Sequence, residues 1–152
     1  MKTFKNLVVP GCVLAAGLLL SHASSANAQQ EPHYLHALSE LRTARDYIQY
    51  DKNPAHERAN HNAVEEINKA IDEIKHAAWD DGKNTQFAPP AQGVTKGWAP
   101  IHYAFNFLTA AKADVGRGVD TPQNTGLRDR AIRHIDVAII RMTELIQNQG
   151  AS

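Results

Sequence analysis

Residues 53–79 read NPAHERANHNAVEEINKAIDEIKHAAW, and this stretch decides the fold class. Ala63, Ile67, Ala70, Ile71 and Ile74 recur at three- and four-residue intervals, the period of a helix with one buried face, over a length that strands do not reach. Asn53 is a good N-cap, and Pro54 follows it where a helix tolerates proline, in the first turn. The helix is expected to end near Trp79.

Three more segments carry the same period. One runs from His33 to Tyr50 with Tyr34, Leu38, Leu41 and Ile48 on a common face. Another carries Ile101, Phe105, Leu108, Ala111 and Val115, with Gly116 and Gly118 to stop it. The last opens at Thr121-Pro122, again cap then proline, and places Ala131, Ile135, Ala138, Ile139, Met142 and Ile146 inward. Asp80 to Gly97 holds three glycines and Pro89-Pro90, which cannot continue a helix, so it reads as a long crossover.

The two halves repeat each other. Pro54, Ala63, Ile67, Ala70 and Ile71 match Pro122, Ala131, Ile135, Ala138 and Ile139 at an offset of 68, and Ala37, Leu41, Ala44 and Arg45 meet Ala104, Leu108, Ala111 and Lys112 at 67. The expectation is an all-α domain, an up-down-up-down four-helix bundle made of two duplicated helical hairpins. Hairpin one spans 33–79, the crossover 80–97 and hairpin two 98–148.

Before the bundle comes a segment of another kind. Lys2 and Lys5, the apolar run Leu7 to Leu20 and Ala26-Asn27-Ala28 have the three-part form of a signal peptide over 1–28, cleaved before Gln29. Its apolar core is shorter than the roughly 20 residues a bilayer span needs. Export to the periplasm or beyond, with no membrane span after cleavage, is the expectation. The bundle domain is then 29–152, 124 of the 152 residues, enough for one core. Loss of the two lysines leaves a net charge of about −2, too balanced for a general nucleic-acid binder. Cys12, the single cysteine, goes with the signal, which removes disulfides, thiolate chemistry and covalent haem from the mature chain. Its flanks, Val9-Pro10-Gly11 before and an apolar run after, fit a lipidation site poorly.

In the expected topology one end gathers the last turns of helices one and three with the first turns of helices two and four. Arg45, His56, Asn60, Lys112, Asn124 and Arg128 then point inward there, as three repeat-equivalent pairs. With two helix N-termini aimed at the same place, this end is the candidate for an anionic small molecule or an acidic envelope partner. Solvation with Asp46, Glu57, Asp114 and Asp129 as counter-ions is the plain alternative. The opposite end collects Tyr34, Trp79, Trp98, Ile101, Leu145 and Ile146, an apolar floor for the crossover.

Seven of the eight histidines lie beyond the signal. His33 with His36, His61 with Glu57 and Glu65, and His76 with Asp72 and Asp80 have one-face spacing for zinc or copper, but no third and fourth ligand is fixed. The paired Glu-x-x-His motifs of di-iron bundles and His-Glu-x-x-His are absent. Haem b held by Met142 and His33 or His36 is the cofactor reading, architectural only. Neither a nucleophile elbow nor a phosphate loop occurs, so no catalytic residue is assigned.

Tyr34-Leu35-His36-Ala37-Leu38 with Leu41-Arg42 and Ala44-Arg45, Asp80-Asp81-Gly82-Lys83, and Leu127 through Asp136 resemble a family of small exported bacterial helical proteins to which no activity is assigned. The resemblance implies export and a helical fold, and carries no residue role. Taken together, the sequence points to an exported binding or interaction module; a periplasmic metal or haem carrier is the alternative.

Overall fold

The computed structural model describes residues 32–80, 82, 84–86, 99–118, 124 and 126–149. Regular structure among them is entirely helical: α1 Pro32–Tyr50, a 3-10 turn Pro54–His56 leading into α2 Glu57–Asp80, α3 Pro100–Arg117 and α4 Leu127–Gln149. The signal segment 1–28 and most of the crossover 80–97 lie outside the described residues. No helix among the described residues is long and apolar enough to cross a membrane.

The helix ends follow local chemistry. Asn53 is extended, and its Oδ1 accepts from the Ala55 N–H at 3.1 Å while Pro54 takes the first helical position, the cap expected from sequence. Gly118 ends α3 in extended backbone, not in a left-handed turn. Its importance is space: a Cβ there would come within 2.5 Å of the Tyr34 ring, which is buried against it. Regular α4 begins at Leu127, later than the start expected at Thr121-Pro122, and Gly126 at φ 91° lies outside helical backbone just before it. Residues 121–123 are outside the described set.

Each helix buries alanine at seven-residue spacing. Ala37 and Ala44, Ala63 and Ala70, Ala104 and Ala111, and Ala131 and Ala138 are all fully buried. Leu38, Leu41, Ile48, Ile67, Ile74, Leu108, Val115, Ile135 and Met142 fill the space between them. Each such aliphatic side chain stabilises the fold by about 1.5–3 kcal/mol on burial. Helix α1 packs on α3 and α2, and α4 packs on α2 and α3, so the diagonals are α1 with α4 and α2 with α3.

Chain direction corrects the expected up-down-up-down order. Tyr47, late in α1, stacks on Tyr103, early in α3, with ring centroids 4.9 Å apart, while His33 at the start of α1 lies 3.5 Å from Asp114 near the end of α3. Helices α1 and α3 are therefore antiparallel. Arg130 pairs with Glu73 at 2.8 Å and His134 with Glu66 at 2.6 Å, which makes α2 and α4 antiparallel too. The order is up-down-down-up. Short links make antiparallel partners of α1 and α2 and of α3 and α4, but a long link lets the second hairpin lie either way round. Here α2 ends where α1 begins and α3 starts where α1 ends. The chain between them must cover the length of α3, about 27 Å for a helix of 18 residues. Arg42 donates to the Thr85 carbonyl at 3.3 Å, which puts Thr85 beside the middle of α1.

An approximate two-fold axis across the bundle relates the hairpins. Arg45 donates to Asn68 Oδ1 at 3.0 Å and Lys112 pairs with Asp136 at 2.6 Å, the same contact at offsets 67 and 68. Glu66 and His134 are themselves repeat equivalents, so their hydrogen bond straddles the axis.

Alanine at the α1–α3 seam sets how closely the helices approach. Ala44→Leu is expected to lose about 1–3 kcal/mol in urea denaturation through overpacking, whereas Ala113→Leu on the exposed face of α3 should stay within about 0.5 kcal/mol of the parent.

Candidate functional site

The six residues expected at one polar end do not meet. Arg45, His56 and Asn60 lie toward the end where α1 meets α2, and Lys112, Asn124 and Arg128 toward the opposite end, where α3 gives way to α4. The two-fold axis runs across the bundle, so it sends repeat-equivalent residues to opposite ends instead of gathering them. Inward pointing holds for three: His56, Asn60 and Asn124 are buried. Arg45 and Arg128 are half-buried, and Lys112 is exposed against Asp136. Asn124 donates from Nδ2 to the Ala77 carbonyl at 3.3 Å and so satisfies the last turn of α2. The apolar end divides likewise, Tyr34 and Trp79 at one end and Ile101, Leu145 and Ile146 at the other, with Trp98 outside the described residues.

What the fold does assemble is the corner between α1 and α2. Asp51 lies just past α1, and its Oδ2 accepts from His56 Nδ1 at 2.6 Å and from Asn60 Nδ2 at 2.9 Å; Oδ1 accepts from the Asn53 N–H at 3.2 Å. Asn53 Oδ1 is committed to the Ala55 N–H, so its Nδ2 faces His56 Nε2 at 3.0 Å and donates to it. The imidazole is therefore the Nδ1–H tautomer, assigned from its partners. Burial pushes the Asp51 carboxyl upward, but the Asn60, His56 and Asn53 donors together hold it below its ordinary value.

Beside this network lies a groove of about 480 Å³, with Ile48 and Val64 as apolar wall and Asp51, Glu57, Asn60 and His61 as polar wall. Asn60 is 8% exposed, and its Oδ1 is buried with no hydrogen-bond partner. The amide cannot be turned round to relieve this, because Nδ2 must face the Asp51 carboxylate. A buried acceptor left unpaired costs about 1–3 kcal/mol. Asn60 itself is among the residues that line the groove, and a buried unpaired acceptor calls for a donor.

Elsewhere the ionisable groups serve the seams. Lys69 and His134 hold the Glu66 carboxyl below its usual value against the effect of burial, and Arg130 does the same for Glu73. Glu40 is different. It faces the α1–α3 seam with one carboxylate oxygen buried and unpaired, and burial together with nearby Asp114 pushes its carboxyl up to about 7, with Arg117 opposing.

The metal and haem expectations are not assembled as drawn. His33 pairs with Asp114 and His61 lies 3.8 Å from Glu65, while among the described residues no three His, Cys, Asp or Glu side chains, His36 and His76 included, converge to hold an ion. Met142 is fully buried near the end of α4, at the opposite end of the bundle from His33 and His36, because α1 and α4 run in the same direction. It cannot share a haem with either. Searches of protein families, of curated proteins and of solved structures find no match to this chain.

Sequence reasoning passed over Asp51 and Glu40. The first had a signal, since Asp-Lys-Asn-Pro is a run of turn formers in which an aspartate accepts from the backbone two residues on. Glu40 had none, because its environment comes from α3, distant in sequence.

Asp51→Ala is expected to destabilise the protein by about 2–3 kcal/mol in urea denaturation, since it leaves two buried donors without their charged acceptor. Glu40 should give stability the opposite pH dependence from a paired carboxylate. Its folded value is raised, so its contribution is full below the ordinary 4.5 and falls away as pH rises to about 7. Glu40→Gln should therefore match the parent near pH 4 and exceed it at pH 8, read from denaturation midpoints across that range.

Proposed function

We propose that this chain is an exported helical binding module, with the groove at the α1–α2 corner as its ligand site. Asn60 carries the reading: a buried side chain on the groove wall, held rigidly by Asp51, has its acceptor unfilled. Binding sites share this form, an apolar cleft with a few oriented polar groups. Nothing at the corner supplies a nucleophile with an adjacent base, since both ring nitrogens of His56 are already engaged. Export rests on the signal-like segment 1–28 and on the resemblance to small exported bacterial proteins.

The same reading takes the hairpins as diverged duplicates, supported by matched burial and by the Arg45–Asn68 and Lys112–Asp136 contacts. The ligand corner then belongs to one copy. Gly118, Asn124 and Arg128 stand where hairpin one has Asp51, His56 and Asn60.

Two measurements test the proposal. N-terminal sequencing of protein from a periplasmic fraction should begin at Gln29, and an intact N-terminus retained in the cytoplasm rejects export. A mixed library of small polar fragments, followed by amide chemical shifts, should perturb residues 48–64 as a cluster. A cluster elsewhere, or none, rejects the corner.

A further inference from the structure

The corner also carries information about which ligands it takes. Its buried donors are engaged, while the Lys52 ammonium is shown using one of its three N–H groups. Lys52 Nζ donates to the Gln49 carbonyl at 3.0 Å, Asn53 Nδ2 to His56, and His56 Nδ1 and Asn60 Nδ2 to Asp51. Acceptors are left over. Asn60 Oδ1 has no partner, Asp51 Oδ1 takes a single backbone donor, and the exposed Glu57 carboxylate makes no hydrogen bond or ion pair among the described residues. Asp51 and Glu57 put two carboxylates on the groove wall. Against them the groove has one lysine or arginine among the described residues, Lys52, while Arg58 lines the adjoining hollow.

We infer that the groove binds an organic cation rich in N–H donors, a primary ammonium or a guanidinium on an aliphatic chain. This rests on the groove being the ligand site, as proposed above. The cationic head lies between Asp51 and Glu57 and offers a donor toward Asn60 Oδ1, while the chain lies along Ile48 and Val64. Charge-assisted hydrogen bonds to carboxylates supply the specificity, and the aliphatic wall excludes water from them. The inferred charge is opposite to that of the ligand expected from sequence. That expectation summed Arg45, Lys112 and Arg128, which the fold places at two ends.

Agmatine and cadaverine serve as cationic probes, 1,5-pentanediol as the neutral control and glutarate as the anionic one, each at millimolar concentration against the full chain as purified. Both cations should shift the amides of residues 48–64 and the Asn60 side-chain amide, with little response to the controls. Higher salt should weaken the effect. Glu57→Gln, an exposed substitution that leaves the Asp51 network intact, should weaken cation binding by about 2- to 5-fold. A corner response to glutarate or pentanediol but not to the amines overturns the cation assignment and leaves the groove as a ligand site. Silence from all four probes overturns the assignment, and if the fragment library is also silent at the corner the site itself falls. Unchanged affinity in Glu57→Gln would likewise overturn the placement of the cationic head between the two carboxylates.

Discussion

Close packing between helices that are not neighbours in sequence governs this molecule. Helix α1 lies on α3 and α2 on α4, each pair antiparallel and each lined by alanines one heptad apart. Small side chains let the backbones approach, and the larger aliphatic residues between them fill the remaining space at close to crystal density. The direction of every helix follows from these two seams. So does the separation of the α1–α2 and α3–α4 turns to opposite ends.

Electrostatics is arranged around that frame. Along the α2–α4 seam, Glu66 with His134 and Glu73 with Arg130 fix the register of two faces already complementary in shape. Partly exposed pairs of this sort contribute little each, about 0–1 kcal/mol, and serve specificity more than stability. The α1–α2 corner is built more tightly, because a partly buried carboxylate there collects three donors and ties the end of one helix to the start of the next. That commitment leaves an acceptor over on Asn60. The binding reading grows from this mismatch between rigid supply and unmet demand. By contrast one Glu40 carboxylate oxygen at the α1–α3 seam has no donor among the described residues, and burial with nearby Asp114 raises its carboxyl value.

Much of this was legible in the chain. Four helices, the Asn53-Pro54 cap, the inward faces and even the burial of His56, Asn60 and Asn124 came from periodicity and turn chemistry. Those are local properties, set within a few residues by backbone sterics and by the 100° step of a helix. The candidate site was legible only in part. His56 and Asn60 were named, but Asp51, which organises them, was overlooked, and Arg45, Lys112, Asn124 and Arg128 were grouped with them through a topology the molecule does not adopt.

The sequence by itself determined helix content, the Asn53-Pro54 cap, the buried faces and the near-repeat of the two hairpins, because each depends on neighbours in the chain. Only the tertiary structure decided which way the second hairpin lies on the first. Both orientations bury the same stripes and satisfy the same links, so their difference resides in how alanines and large side chains interleave across α1–α3 and α2–α4, over separations that no local pattern reports. With that choice made, the polar residues fell into two groups, and the corner with an unfilled acceptor became a site of its own.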